Sequence, residues 1–135
     1  MPCLKGRVVR SKILIAAVLL SILLLYACGD GSQRQHVAET TTGGNVIRGA
    51  RMIQYYGCGS CHSIPGISGA SGLTGPPLSG IASRIYIAGV LRNTPENMMR
   101  WIENPKAVDE KTVMPNLGVT HADATDIAGY LYTLQ

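Results

Sequence analysis

Two cysteines and a histidine lie close together in the segment CGSCH, at Cys58, Cys61 and His62. Thiols at this spacing can form a redox-active disulfide, thiols with an imidazole can bind zinc, and the pattern CxxCH is a site of covalent c-type haem attachment. The disulfide interpretation needs the alternating strands and helices of a thioredoxin-like fold, which the sequence does not show. The zinc interpretation lacks a second CxxC or an HxxxH motif that would complete four ligands.

Covalent haem attachment explains this segment best. Two sulfurs on one short helical turn reach the two vinyl groups along one edge of a porphyrin, and the next residue brings an imidazole under the iron. Thioether bonds also consume thiols that would otherwise oxidise outside the cytoplasm. We therefore predict one covalently bound haem c, attached through Cys58 and Cys61, with His62 as an iron ligand.

The other axial position of the iron has five candidate ligands, which are His36, Met98, Met99, Met114 and His121. The histidines belong to a polar segment and to the start of a predicted helix, and Met98 and Met99 belong to a helix, where methionine usually packs. Met114 lies in the loop TVMP, where Pro115 favours an extended backbone. Met114 is thus the favoured ligand, with ordinary core packing as the alternative. Histidine and methionine together would favour electron transfer over oxygen chemistry.

Three helices are predicted to position these groups, and the fold class is all-α. The first covers about residues 46–56, with Asn45 as its N-cap. The second has Thr94 as its N-cap and stops before Pro105. The third starts at Thr120, with an aspartate three residues later, and continues to the chain end. No alternating strand pattern and no internal repeat stands out.

The loop SIPGISGASGLTGPPLSG follows the cysteine motif and contains prolines and apolar residues. This composition predicts a compact loop wrapped around a ligand instead of a linker. No charged side chain occurs from Met52 to Ser83. We therefore predict an apolar docking face whose association with partners depends weakly on ionic strength. Lys106 and Lys111 are the alternative docking residues.

A basic segment and an apolar run open the chain in the layout of a secretory signal. Four basic residues precede a fifteen-residue run that ends at Ala27 and is interrupted by a single serine. The segment LYAC, which ends at Cys28, resembles a bacterial lipobox, and an uncleaved signal anchor is the alternative. The predicted divisions are a signal peptide or membrane anchor over residues 1–27, a lipidated Cys28 with a flexible tether over 28–45, and a folded domain over 46–135.

The formal net charge of +4 belongs to the leader, because from Cys28 onwards eight lysines and arginines balance eight aspartates and glutamates. Nucleic acid binding therefore has no support from composition. The predicted domain has about 90 residues, with no phenylalanine and one tryptophan. Such a small domain buries a modest core, to which a covalent cofactor would add.

Five motifs occur in an order that resembles class I monohaem c-type cytochromes across residues 46–135: CGSCH, GPPL, NMMRWIENPK, TVMPNLG and YLYTL. The resemblance implies the small cytochrome c fold, with three main helices and loops wrapped around one covalent haem. It assigns Cys58 and Cys61 to the thioethers, and His62 and Met114 to the iron.

The resemblance also implies four further contacts. The carbonyl oxygen of Pro76 would accept a hydrogen bond from the ring of His62, which would orient the imidazole. Trp101 would pack against the haem near the methionine, with plain core packing as the alternative. Thr112 and Arg84 would approach the haem propionates, although a surface role suits Arg84 nearly as well.

Two details of the resemblance concern the backbone. The first helix would cross the last one closely at Gly49 or Ala50. The sequence departs from the family at residues 110–112, which read EKT where the family often has PGT. This departure predicts a differently shaped loop just before Met114.

The resemblance implies an electron carrier and not an enzyme. We expect a membrane-anchored protein that faces the periplasm of a bacterium. It would take single electrons from a quinol-oxidising cytochrome complex or a periplasmic dehydrogenase and pass them to a haem-copper terminal oxidase. A permanent haem-bearing subunit of an oxidase or dehydrogenase complex is the alternative. A haem enzyme or gas sensor would require Met114 to be absent from the iron or easily displaced.

Overall fold

The computed structural model describes Val18 and residues 29–135, which confirm the predicted all-α class. The elements are α1 (Gly29–Thr42), α2 (Val46–Tyr55), 3₁₀ turns at Cys58–Ser60 and Ile81–Ser83, strands β1 (Tyr86–Ile87) and β2 (Leu91–Arg92), α3 (Pro95–Glu103), α4 (Pro105–Val108) and α5 (His121–Leu131). The predicted leader and Cys28 lie outside the described residues, apart from Val18. Among the described residues, no helix combines the length and apolar character needed to cross a membrane.

The helix α1 occupies the segment for which the sequence predicts a flexible tether. From Arg34 onwards it belongs to the same compact unit as the rest of the fold. Ala38 is buried, and the carboxylate of Glu39 accepts a hydrogen bond of 3.1 Å from the backbone N–H of Val46. The segment is therefore ordered as a helix that caps the next one. Hydrophobic periodicity does not predict this helix, because Ala38 and Thr42 are its only buried residues among those that the structure describes.

The predicted helix ends agree closely with the structure. Asn45 and Thr94 cap α2 and α3 through their side-chain oxygens, and Gly57 follows α2 with a φ of +70°. The helix α3 ends before Pro105, as predicted. The last helix is shorter than predicted, because α5 ends at Leu131 and not at the chain end.

Close approach of α2 and α5 depends on one glycine. A Cβ added to Gly49 would lie 2.0 Å from the carbonyl oxygen of Asp126 and 3.1 Å from the Cβ of Tyr130. Any side chain at this position would therefore push the two helices apart. Of the two residues named by the resemblance, Gly49 and not Ala50 allows the crossing.

Polar groups join α2 to the start of α5. Thr120 accepts a hydrogen bond of 3.2 Å from the backbone N–H of Asp123, and the hydroxyl of Tyr56 donates to the Asp123 carboxylate at 2.8 Å. Arg48 lies 3.3 Å from Asp123 and also pairs with the buried Asp126. The hydrogen bonds from Thr120 and Tyr56 hold the pKa of Asp123 below its ordinary value.

The apolar core lies between α2, α3 and α5. From α3 it receives three buried side chains, those of Met98, Trp101 and Ile102. The strands β1 and β2 form a short antiparallel hairpin, which the sequence analysis did not predict. The hairpin contributes the buried side chain of Ile87 to this core.

Candidate functional site

The predicted haem-site residues all line the same cavity, which has a volume of about 560 Å³. This volume lies within the range of about 300 to 1,000 Å³ that is usual for cofactor pockets. Much of the wall consists of aliphatic side chains from the core. The eight predicted residues in the lining are Cys58, Cys61, His62, Pro76, Arg84, Trp101, Thr112 and Met114.

A single turn of backbone presents the two thiols and the imidazole. The residues Cys58–Ser60 form a 3₁₀ turn, and the backbone N–H groups of Cys61 and His62 both donate to the carbonyl oxygen of Cys58, at 3.2 and 3.0 Å. Both cysteine side chains are half-buried. The spacing of CxxCH therefore brings all three side chains out of one turn into the cavity lining.

The imidazole of His62 is oriented by the loop that follows it. Its Nδ1 lies 2.7 Å from the carbonyl oxygen of Pro76, as the resemblance implies for an N–H donor at that atom. This contact leaves Nε2 as the ring nitrogen that can bind a metal.

Gly75 is a site residue that the sequence analysis missed. A Cβ at this position would lie 2.3 Å from Cε1 of the His62 ring and 2.6 Å from Nδ1. The backbone N–H of Gly75 also donates to the carbonyl oxygen of Cys61 at 2.8 Å. The absence of a side chain thus lets the backbone pass directly against the imidazole. The available signal was the glycine immediately before Pro76 in GPPL.

Two features of the structure bear on the alternative interpretations of CGSCH. Burial raises the pKa of the Cys58 thiol, whereas a redox-active thiol needs a lowered pKa. No group of three or more histidine, cysteine, aspartate or glutamate residues that could bind a metal ion occurs in the part of the chain that the structure describes. Neither feature supports a redox-active disulfide or a zinc site at CGSCH.

Met114 lies half-buried in the loop between α4 and α5 and lines the cavity. Its backbone N–H donates to the hydroxyl of Thr112 at 3.2 Å, and the N–H of Thr112 donates to the carbonyl oxygen of Asp109 at 3.1 Å. The side chain of Thr112 therefore helps to set the backbone of Met114.

The other candidate iron ligands have different surroundings. Met98 also lines the cavity, but it is 2% exposed on α3 and belongs to the core. The sulfur of Met99 accepts a hydrogen bond from Thr125, and Nδ1 of His121 lies 2.6 Å from the carboxylate of Glu103. His36 lies on α1. Of these four residues, only Met98 belongs to the cavity lining.

The remaining two predicted residues also stabilise the walls. Trp101 is buried in the core and lines the cavity. The guanidinium of Arg84 donates to the carbonyl oxygens of Pro77 and Ser79 and so fixes the loop next to Pro76. Contacts of Arg84 and Thr112 with haem propionates stay predictions.

A family model described as cytochrome c matches residues 46–135. The chain belongs to the cytochrome c family. The match begins at the first residue of α2 and covers every residue of the cavity lining. Membership of the cytochrome c family implies haem c as the cofactor and electron transfer as the function.

One curated relative is similar to part of this chain. It is cytochrome c oxidase subunit 2 of Alkalihalophilus pseudofirmus, which is 29% identical over 89 residues. The alignment covers 65% of this chain and 25% of the relative, so the chain spans about a quarter of that protein's length. No solved structure matches the chain.

The cavity of this cytochrome c domain fits the cofactor of its family. Aliphatic walls suit a flat apolar macrocycle, and two thiols from one turn suit its two vinyl groups. The imidazole of His62 is oriented for a metal by Pro76. Cys58, Cys61 and His62 would therefore hold the haem, and Met114 is available to the iron from a separate loop.

Proposed function

We propose that this protein carries single electrons through one covalently attached haem whose iron is bound by His62 and Met114. The observation that carries the proposal is that both side chains line the same cavity, with the His62 ring already hydrogen-bonded to Pro76. With haem bound, the site contains an iron that exchanges one electron between its ferric and ferrous states.

The residues of the cavity have complementary roles in this proposal. The hydrogen bond to Pro76 keeps the His62 ring in one orientation. The thioether of Met114 would be the second protein ligand of the iron and would raise its reduction potential. Among the lining residues there is no aspartate, glutamate or lysine that could act as a general acid or base. This lining favours an electron carrier over a haem enzyme, and an iron bound by Met114 would leave no position open for a gas.

Electrons would enter and leave through an apolar rim around the cavity mouth, formed by Tyr86, Val113 and Leu117. These three residues line the cavity, and their exposed fractions are 51%, 84% and 40%. Leu73, with an exposed fraction of 89%, precedes the lining residue Thr74. Together with the uncharged segment from Met52 to Ser83, this rim favours a redox partner with an apolar contact face.

Stopped-flow mixing tests the docking mode. The reduced full-length protein in detergent is mixed with a purified haem-copper oxidase of the source organism, and the bimolecular rate constant is measured from low to high salt. The rate constant is expected to change by less than about threefold, because salt screens only charge-steered association. A steep fall would contradict apolar docking and would implicate Lys106 and Lys111.

The oxidase is the proposed electron acceptor, and either a quinol-oxidising cytochrome complex or a periplasmic dehydrogenase is the proposed donor. Similarity to a cytochrome c oxidase subunit 2 supports an oxidase as partner. The same similarity favours a second candidate function, that of a permanent haem-bearing subunit. Size-exclusion chromatography of gently solubilised membranes separates the two, because a mobile carrier elutes apart from the oxidase and a fixed subunit elutes with it.

We also propose that the chain is exported and tethered on the periplasmic side of a bacterial membrane through Cys28. The basic and apolar leader and the LYAC segment support this location. In cells that express Cys28→Ser, the protein is expected to lose its acyl anchor and to retain its N-terminal leader. Processing and acylation unchanged by this substitution would contradict a lipid anchor at Cys28.

A further inference from the structure

The loop that carries Met114 is not fixed by its own backbone. Within the described chain, residues 113–119 form no backbone–backbone hydrogen bond. The preceding turn has one such bond, from the N–H of Thr112 to the carbonyl oxygen of Asp109 at 3.1 Å. Side chains must therefore supply much of the restraint on the position of Met114.

Lys106 supplies such a restraint from α4. Its ammonium group donates to the carbonyl oxygen of Glu110 at 3.2 Å and also to the carbonyl oxygen of Thr112. The hydroxyl of Thr112 in turn accepts a hydrogen bond of 3.2 Å from the N–H of Met114. Thr112 thus links Lys106 on the short helix α4 to Met114, because its carbonyl oxygen binds Lys106 and its hydroxyl binds the backbone of Met114.

The chemistry of lysine suits this arrangement. An ammonium group has three donors and no acceptor, so it can bind two carbonyl oxygens at once. Hydrogen bonds from a charged donor are stronger than those between neutral groups. The segment that receives them, Glu110–Lys111–Thr112, contains no proline that would restrict its backbone. The side chain of Lys106 therefore restrains the conformation of this turn, which a proline in the backbone would otherwise restrain.

We propose that Lys106 is a positioning residue for Met114, which keeps the thioether at the iron by binding the carbonyl oxygens of Glu110 and Thr112. This inference rests on the proposed ligation by His62 and Met114. Without the ammonium group, the turn loses these hydrogen bonds and Met114 is held less firmly. An external ligand therefore displaces the methionine more easily. Because Lys106 is exposed, solvent weakens its hydrogen bonds and the effect is moderate.

Lys111 provides a matched control in the same loop. It is exposed, and no hydrogen bond or ion pair of its ammonium group occurs among the described residues. Lys106→Met and Lys111→Met change the net charge equally. Only the first removes the hydrogen bonds to Glu110 and Thr112.

Titration of the ferric full-length protein with imidazole tests the inference, with the methionine-to-iron charge-transfer band as the readout. Lys106→Met is expected to raise the affinity for imidazole by about three- to tenfold, since charge-assisted hydrogen bonds to the turn are lost. Lys106→Arg, which can still donate to two carbonyl oxygens, and Lys111→Met should both resemble the wild type. Lys106→Gln keeps a neutral donor and should be intermediate.

Each contrary result has a distinct meaning. Unchanged imidazole affinity in both Lys106→Met and Lys106→Gln would overturn the positioning role and leave the proposed function intact. Equal effects of Lys106→Met and Lys111→Met would attribute the change to net charge and would also overturn it. A wild-type protein without the methionine band would overturn the proposed ligation, and the role of Lys106 with it. Far-ultraviolet circular dichroism verifies that each variant is folded.

Discussion

The two loops that would supply the iron ligands are stabilised in different ways. The attachment loop, residues 57–80, carries His62, and the methionine loop, residues 109–120, carries Met114. Backbone–backbone hydrogen bonds join distant parts of the attachment loop. In the methionine loop, most of the restraint comes from side chains.

In the attachment loop, backbone N–H groups of later residues donate hydrogen bonds to residues in or next to the cysteine motif. The N–H of Gly75 donates to Cys61 at 2.8 Å, the N–H of Leu78 to Ser63 at 2.9 Å, and the N–H of Gly72 to Gly59 at 3.1 Å, each to a carbonyl oxygen. Such bonds survive most side-chain substitutions. The sensitive positions are glycines against which another group is packed.

In the methionine loop, side-chain oxygens and one ammonium group bind the backbone. The carboxylate of Asp109 accepts from the N–H of Lys111 at 3.0 Å, and the side-chain oxygen of Asn116 accepts from the N–H of Gly118 at 2.9 Å. Lys106 and Thr112 bind the segment between these two turns. A single side-chain change can therefore loosen this loop. We expect Met114, and not His62, to be the ligand that leaves first.

The largest expected effect is that of Gly75→Ala in the attachment loop. The new methyl group would lie 2.3 Å from the His62 ring, so the imidazole or the backbone must move. Overpacking of this kind costs about 1 to 3 kcal/mol. The midpoint of thermal unfolding of the haem-bound protein should therefore fall by about 5 to 20 °C.

The matched control for this prediction is Gly31→Ala. A Cβ at Gly31 meets nothing within 4 Å, and the residue lies in α1, where alanine is a better helix former. This variant should unfold at the wild-type temperature or slightly above it. Equal losses in both variants would contradict a specific contact between Gly75 and His62.

A moderate effect is expected for Thr112→Val in the methionine loop. Valine keeps the shape of threonine but removes the hydroxyl that accepts from the N–H of Met114. The ferric protein should bind imidazole about three- to tenfold more tightly, as expected for loss of one hydrogen bond. Thermal stability should change less than in Gly75→Ala.

Thr112→Ser is the control, because serine keeps the hydroxyl and removes a methyl group. It should retain the imidazole affinity of the wild type. If valine and serine variants behave alike, the hydroxyl does not restrain Met114, and the contrast between the two loops becomes weaker.

The smallest expected effect concerns Asp123, which lies near the start of α5, just beyond the methionine loop. Hydrogen bonds from Thr120 and Tyr56 lower the pKa of its carboxyl group in the folded protein. The charged form therefore stabilises the fold above the ordinary pKa, and this contribution disappears as the pH falls towards the lowered value. Asp123→Asn should lower the unfolding temperature by about 2 to 5 °C at pH 7.

A pH series of unfolding temperatures verifies this prediction. The difference between wild type and Asp123→Asn should shrink between about pH 5 and pH 2, where the wild-type carboxylate takes up its proton. A difference that stays constant over this range would show that packing, and not the charge of Asp123, causes the loss.

Sequence patterns predicted the cysteine motif and the helix caps better than the methionine loop. The cysteine spacing and the helix caps at Asn45 and Thr94 are local signals, because each contact joins residues within a few positions. The contact between Lys106 and Thr112 is also local, but a surface lysine has many possible partners. The sequence alone therefore indicates only a docking or surface role for Lys106.

The structure of α1 and the role of Gly75 could not be predicted from local patterns. The segment of α1 is polar, and its contact from Glu39 to Val46 depends on how two helices meet. Gly75 is required because its backbone lies against an imidazole thirteen positions earlier in the chain. Both features depend on tertiary approach, which hydrophobic periodicity does not encode.

The most direct test of the proposed electron carrier is the visible spectrum of the purified full-length protein, recorded oxidised, reduced, and reduced under carbon monoxide. We predict a methionine-to-iron band in the oxidised form and no change of the reduced spectrum with carbon monoxide, because Met114 would be the second ligand of the iron. Met114→Ala should lose the band and bind carbon monoxide. Ready binding of carbon monoxide by the wild type would contradict ligation by Met114 and would favour a haem enzyme or gas sensor.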